Sequence, residues 1–318
     1  MIIIVRQQSS GISAKIYNIQ RFSIYDGPGV RTVFFFKGCN LHCLWCHNPE
    51  SICHSCELEF NPDKCIGCGF CFTACPYGAH GIDDPQVELT DRQYDIKSRN
   101  HYINREQCVR CFSCVDGCYA EALRCIGQEV DAEYILRTAL EDMPYYGDEG
   151  GVTFSGGECM LQTDSLAYIL KALKKHNIHT AVDTAGSVAY KEFQKILSYT
   201  DLILYDIKAI NKDLHQKLTG VENGLILENF EKLLSEDIRI IVRIPFIPGL
   251  NADEIEAIGD YLSGKNIIRA DLLPYHNMGN AKFTLFGRKS DIEIKSPDPA
   301  AVENAIENLR RRGINTSV

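Results

Sequence analysis

The sequence lacks any apolar run approaching the roughly 20 residues that span a bilayer, so no membrane helix is expected among its 318 residues. It also lacks an excess of positive charge. Its 33 Lys+Arg and 42 Asp+Glu give a formal net charge of −9. Chains that bind nucleic acid usually carry a basic face, so the expected partner is a protein or a small molecule, with no nucleic acid. A secretory leader is missing too. Residues 1–5 are apolar, but Arg6, Gln7, Gln8, Ser9 and Ser10 follow at once, where a leader needs a longer apolar stretch behind a positive start. The expected location is cytoplasmic. A reducing compartment makes disulfides a poor use for any cysteine.

Cysteine itself is abundant. There are 15, and all but Cys159 lie between Cys39 and Cys125. Such clustering reads as metal binding. It marks a cysteine-rich insert over 53–120, between segments 15–52 and 121–318 that look different, after a tail over 1–14. With 45% hydrophobic residues, the chain can build one large core and a small second unit. Short β-branched or apolar runs at 31–37, 151–155, 178–183, 202–208, 238–244 and 267–275 read as strands. Amphipathic runs at 131–141, 164–176, 190–198, 228–235 and 253–263 read as helices between them. This alternation predicts parallel strands with crossover helices. The expected fold is α/β, a partial (β/α)6 barrel of the TIM type, open on one side, since a full eight-unit barrel takes about 250 residues.

Gly38-Cys39-Asn40-Leu41-His42-Cys43-Leu44-Trp45-Cys46 spaces three cysteines as C-x3-C-x2-C directly after an apolar strand. Three thiolates on one loop hold three irons of a 4Fe–4S cubane and leave the fourth open, which is where a ligand coordinates and reacts. The bland alternative is a zinc loop that recruits His42 or His47. A second pattern occurs twice: Cys65-x2-Cys68-x2-Cys71-x3-Cys75, followed by Pro76, and Cys108-x2-Cys111-x2-Cys114-x3-Cys118, followed by Tyr119. This is the bacterial ferredoxin run, whose fourth cysteine serves the other cluster. It assigns one cluster to Cys65, Cys68, Cys71 and Cys118 and another to Cys108, Cys111, Cys114 and Cys75. Tyr119 departs from the usual proline. These clusters either staple the insert or relay electrons to the first cluster, and relay is the expected role. Cys53-x2-Cys56 has ligand-like spacing and remains an alternative source of ligands. Cys125 and Cys159 are expected to pack as small buried hydrophobes.

Barrel function sits at the carboxyl ends of the strands. Polar groups fall there in turn: Gly156-Gly157-Glu158, Asp183-Thr184, Asp206-Ile207-Lys208, Arg243 closing the fifth strand, and Tyr275-His276 at the sixth. Any one of them alone reads as a cap or an ion pair. Their shared register is what points to a site.

The C-x3-C-x2-C loop, with Trp45 before its last cysteine, resembles the signature of the radical S-adenosylmethionine enzymes. Further stretches are similar to the glycyl radical enzyme activating enzymes within that superfamily: Asp26-Gly27-Pro28-Gly29-Val30-Arg31-Thr32, Cys46-His47-Asn48-Pro49-Glu50, Ser155-Gly156-Gly157-Glu158, Val182-Asp183-Thr184-Ala185-Gly186, Tyr205-Asp206-Ile207-Lys208, Arg243-Ile244-Pro245-Phe246-Ile247-Pro248-Gly249 and Leu273-Pro274-Tyr275-His276. The resemblance covers nearly the whole chain from about residue 15. It implies an oxidoreductase that cleaves S-adenosylmethionine to methionine and a 5′-deoxyadenosyl radical, which takes a hydrogen from a glycine of a glycyl radical enzyme. On that reading Gly156 and Gly157 admit the ligand's amino group, Glu158 accepts from it or from ribose, Lys208 meets its carboxylate, and His276 meets the adenosyl part. Asp183, Thr184 and Asp206 hold a monovalent cation, and Asp26 contacts the partner's glycine. Flavodoxin or ferredoxin supplies the electron to a monomeric activase. The insert departs from the type member, the pyruvate formate-lyase activase, and resembles activases of other glycyl radical enzymes. A radical enzyme acting on a small molecule is the alternative. A plain electron carrier has no need of the rim.

Overall fold

The computed structural model describes residues 11–83, 101–289 and 294–317. Most of the expected tail and positions 84–100 of the expected insert lie outside these. Along the chain, β1 (Ser13–Ser23) and β2 (Arg31–Phe36) precede the cysteine-rich stretch. That stretch contributes β3 (Glu57–Phe60), α1 (Phe70–Ala74), β4 (His80–Ile82), β5 (His101–Ile103) and β6 (Leu123–Ile126). Then come β7 (Gln128–Asp131), α2 (Ala132–Asp142), β8 (Gly151–Gly156), α3 (Thr163–Lys174), β9 (His179–Thr184), α4 (Tyr190–Ile196) and β10 (Leu202–Asp206). The chain ends through α5 (Lys212–Thr219), α6 (Gly224–Leu233), β11 (Arg239–Phe246), α7 (Ile255–Leu262), β12 (Arg269–Pro274), α8 (Asn280–Leu285), α9 (Pro299–Arg311) and β13 (Thr316–Ser317).

Among the described residues one nine-stranded sheet runs β13-β12-β11-β10-β9-β8-β2-β1-β7. Strands β2 and β8 to β12 are parallel in consecutive order, which is the partial TIM-type barrel. Its edges do not meet, because β7 and β13 are the two ends of the order. Strand β1 runs antiparallel to both β2 and β7. It starts earlier than the sequence boundary at residue 15: Ser13 and Ala14 already pair with Asp131 and Val130, because Ala14 and Ile16 are buried on alternate positions.

Helix α3 shows why these segments fold as they do. Leu166, Ile169, Leu170 and Leu173 recur on one helical face and are fully buried with Val152, Phe154 and Val182 of the sheet. Each such side chain stabilises by about 1.5–3 kcal/mol. Asp164 in the first turn and Lys171 and Lys174 in the last suit the helix dipole. The other strand face points into the barrel, where Ala181, Leu202, Leu204 and Ile241 form a small apolar floor.

The insert forms two antiparallel two-stranded ribbons, β3–β6 and β4–β5. Strand β6 carries it past the expected boundary at 120, because residues 123–126 pair with 57–60 rather than with the barrel. Cys125, expected to be buried, is exposed on this ribbon, whereas Cys159 is fully buried. Cys125 shares its face of the ribbon with Leu58 and Leu123 but stands outside the buried cluster that those two join. Among the described residues, no helix is long and apolar enough to cross a membrane.

Candidate cluster and cofactor site

The cysteine loop follows β2 and is tied at several points. Gly38 N donates to Ser51 O (2.7 Å), Cys39 N to Ile52 O (3.0 Å), His42 N to Thr219 O (2.7 Å) and Leu44 N to Leu218 O (3.0 Å). Trp45 is buried beneath it with Leu218, Ile247 and Tyr275. Burial pushes the Cys39 and Cys43 thiols up to about 12 and Cys46 to about 11. Such thiols stay protonated until a cation among them draws out the thiolates. Zinc fits poorly. With Zn–S near 2.3 Å, its sulfurs would sit roughly 3.8 Å apart. Yet among the described residues the only three His, Cys, Asp or Glu ligand atoms within 4.8 Å of one another belong to Cys71, His80 and His101. Wider thiol spacing suits a cubane.

The loop after β8 closes on this one. Gly156 has φ +118°, and a side chain there would meet the Phe36 backbone at 2.3 Å; at Gly157 it would meet Gly38 O at 2.3 Å. Two glycines let Gly157 N reach Phe36 O (3.0 Å) and Glu158 N reach Gly38 O (2.8 Å). Glu158 is fully buried. Its carboxylate accepts from Met160 N (3.0 Å), Thr184 Oγ1 (2.8 Å) and Ala185 N (2.9 Å), and burial lifts its pKa to about 7 against these donors.

Inside the barrel, Asp183 accepts from Ser155 Oγ (2.6 Å) and Arg243 Nη1 (3.0 Å). Burial opposes charge on Arg243, but Asp183 and Asp206 outweigh it and keep the guanidinium charged. Arg243 does not close its strand, because β11 continues to Phe246. Lys208 Nζ donates to Asp206 Oδ2 at 2.5 Å. Burial opposes its charge as well, and Asp206 with the Cys43 thiol holds its pKa above the ordinary range. Thus Asp183 and Asp206 face the same interior, while Thr184 turns to Glu158.

His276 is exposed and stacks on His47, ring centroids 4.1 Å apart and 5° from parallel. Both line an open cleft of about 400 Å³ that also takes in Asp26, Tyr25, Phe35 and Lys282. Asp26 is held from two sides: Ser23 Oγ donates to its carboxylate (2.6 Å) and Thr153 Oγ1 to its carbonyl (2.7 Å).

In the insert, a cavity is lined by Cys65, Cys68, Cys71, Cys114, Cys118 and His101, among others. The thiols bearing on Cys71 are those of Cys65, Cys114, Cys68 and Cys118. Those bearing on Cys114 are Cys108, Cys75 and Cys111. Burial pushes Cys71 and Cys114 up to about 12. Cys53 lies apart, beside Ser55 Oγ (3.1 Å) and Arg110 Nη1 (3.6 Å), and Cys56 donates to Gly127 O (3.2 Å).

Sequence reasoning missed several residues. Arg31 is fully buried and donates to Pro28 O (3.0 Å), Val152 O (2.8 Å) and Thr153 Oγ1 (2.6 Å), pinning the Asp26 turn. Lys37 is fully buried and reaches Glu50 O (2.7 Å) and Glu57 Oε2 (3.3 Å). His80 and His101 are buried beside the insert thiols, and burial pushes both down to about 4. A charged or polar residue inside an apolar run was the available signal for Arg31 and Lys37. Nothing local distinguished the histidines.

Comparison with known proteins places this geometry. The family model of the radical SAM superfamily matches residues 109–262. A 4Fe-4S binding domain matches 58–80, and a 4Fe-4S single cluster domain matches 25–67. The chain is 38% identical to the choline trimethylamine-lyase activating enzyme of Oleidesulfovibrio alaskensis, over 88% of this chain and 89% of that one. It is 34% identical to the trans-4-hydroxy-L-proline dehydratase activating enzyme of Clostridioides difficile, over 95% and 98%. A solved domain of pyruvate-formate lyase-activating enzyme from Bacteroides vulgatus is 29% identical, with TM-score 0.46, over 53% of this chain and 98% of that one.

Proposed function

Because the chain belongs to the glycyl radical enzyme activating enzymes of the radical S-adenosylmethionine superfamily, we infer that its barrel makes a radical and passes it to a glycine of a partner enzyme. Cys39, Cys43 and Cys46 would hold the 4Fe–4S cluster, which would bind S-adenosylmethionine and supply the one electron that cleaves it. The carbon–sulfur bond breaks, methionine keeps the sulfur with its electron pair, and the 5′-deoxyadenosyl carbon is left with one electron. That carbon takes a hydrogen atom from the glycine Cα, giving 5′-deoxyadenosine and a glycyl radical.

The chain's own residues position these groups. Lys208 carries a fixed positive charge for the carboxylate of S-adenosylmethionine, with Asp206 holding its Nζ. Gly156 and Gly157 keep the loop after β8 low against the cysteine loop, leaving room for the amino group. Glu158 acts by anchoring Thr184 and the Ala185 backbone. Asp183 and Asp206 line a site for a monovalent cation, with Thr184 adjoining in the chain. His276, stacked on His47, faces the adenosyl part. The observation that carries the reading is the cleft Asp26 shares with His47 and His276. His47 adjoins Cys46, so a glycine admitted there lies near the radical's source.

The insert carries two further clusters, on Cys65, Cys68, Cys71 and Cys118 and on Cys108, Cys111, Cys114 and Cys75, and relays electrons from flavodoxin or ferredoxin to a monomeric activase. The second set adjoins the barrel. Arg110 contacts Cys53 and Ser55, next to the Ile52 carbonyl that receives Cys39 N. The test is oxygen-free incubation of reduced protein with S-adenosylmethionine and candidate glycyl radical enzymes. A glycyl doublet in the electron paramagnetic resonance spectrum of one partner supports the reading. Silence from every candidate while a small molecule is consumed overturns it. Relatives named for choline, hydroxyproline and indoleacetate enzymes fall between 33% and 38% identity, so no partner is singled out.

A further inference from the structure

The insert thiols fall into two sets that look equivalent in sequence and are not equivalent in space. Strands β4 and β5 put His80 and His101 side by side, His80 Nδ1 2.9 Å from His101 Nε2. The His101 ring lies between two thiols of one set: Cys65 Sγ is 3.9 Å from its Nδ1 and Cys71 Sγ 3.9 Å from its Nε2. Both histidines are more than nine-tenths buried. In the other set, Ser113 Oγ donates to the exposed Cys111 sulfur (3.5 Å) and Ala79 N to that of Cys75 (3.4 Å).

We propose that His101 donates Nδ1–H to the Cys65 thiolate, that His80 fixes this tautomer, and that the cluster on Cys65, Cys68, Cys71 and Cys118 is thereby easier to reduce than its neighbour. The proposal rests on the two-cluster reading of the insert. The argument is one of proton count. A neutral imidazole has one N–H and one bare nitrogen. A ligating thiolate is an acceptor only. If His101 gave its proton to His80, its bare Nδ1 would face the Cys65 sulfur, lone pair against lone pair, whereas a bare Nε2, equally 3.9 Å from Cys71 Sγ, is answered by the His80 N–H at 2.9 Å. If His80 gives Nδ1–H to His101 Nε2, the remaining N–H points at the sulfur. Hydrogen bonds to ligand sulfurs favour the reduced, more negative cluster, and a buried one counts for more than the solvent-exposed Ser113 contact. His101 and His80 are positioning residues here, and neither takes part in the radical step.

The experiment is a redox titration of reconstituted full-length protein followed by electron paramagnetic resonance, with the barrel cluster recognised by its change on adding S-adenosylmethionine. His101→Phe should lower one insert midpoint by about tenfold in the reduction equilibrium, about 59 mV for one electron, and leave the other in place. His80→Phe should shift the same midpoint less, in the same direction. His101→Gln, which keeps a side-chain N–H, should restore part of the loss. Unchanged midpoints in an iron-complete His101→Phe overturn the proposal. If that variant loses iron, His80→Phe decides, and an unchanged midpoint there overturns it equally. An iron content near eight rather than roughly 12 per wild-type chain sinks the two-cluster reading instead, before any variant is made.

Discussion

In the barrel, Leu166, Ile169, Leu170 and Leu173 are sealed against Val152, Phe154 and Val182, and the same core continues through α2, α4, α6 and α7 to Leu309 of α9. In the insert, the corresponding cluster is Leu58, Phe60, Cys71, Cys114, Ala122 and Leu123. Two of those six are thiols, and the strands around them pair only two by two. The barrel therefore has an apolar core large enough to hold its shape by burial. The insert has too little core to stand on burial, and on the proposed two-cluster reading metal–thiolate bonds would supply its shape. On that reading one chain holds a region in which iron would be chemistry and a region in which it would also be architecture.

The sharpest way to break this comparison is to remove one thiol from each region. Cys43→Ala should abolish formation of 5′-deoxyadenosine, measured by chromatography, while Cys68→Ala should keep part of it with an artificial reductant. Equal loss in both would mean that the insert has no separate relay role. Stripping the iron with a chelator comes next. Hydrogen exchange should show lost protection over 57–60 and 101–126, with the strands at 151–156 and 202–206 still protected. Uniform loss would refute the division.

A smaller effect lies in Glu158. Its folded pKa is about 7 against an ordinary 4.5, so between those values the folded state holds a proton that the unfolded state lacks. Stability of the metal-free chain should therefore fall as pH rises from about 4.5 to 7, by up to about 3 kcal/mol. Glu158→Gln should flatten that slope in thermal melts taken across the window, and an equally steep slope would rule out Glu158 as its source. Smallest is Thr153→Val, which leaves Arg31 Nε and the Asp26 carbonyl without a partner. It should cost about 1–3 kcal/mol in denaturant unfolding and speed amide exchange around Asp26. No change would show that Arg31 alone holds that turn.

Most of the six parallel strands were legible as apolar runs buried on both faces, with β12 buried at Ala270 and Leu272 alone, and the observed bounds of all six lie within two residues of the sequence expectation. Strand β1 was less legible, since three of its four exposed residues are polar (Asn18, Gln20 and Arg21) and its partner β7 lies more than a hundred positions away. The cysteine spacings announced cluster chemistry by themselves. What spacing could not carry was the company each thiol keeps. Whether Cys71 faces Cys118, or His101 faces Cys65, depends on two ribbons folding onto each other. Glu158 shows the converse. Its position at the end of a strand was readable, but its occupation by Met160, Thr184 and Ala185 required the neighbouring strand in place.

Lys37 bears on whether the insert is a detachable module. It stands between the last barrel strand before the cysteine loop and that loop itself, with no solvent exposure, and its ammonium is answered by Glu57 of the insert. Excising 53–120 to imitate an insert-free relative would take the charge partner from Lys37 at the root of the cysteine loop, a loss of about 3–5 kcal/mol as when one member of a buried pair is removed. An engineer wishing to shorten this enzyme would have to begin with Lys37, outside the segment being cut.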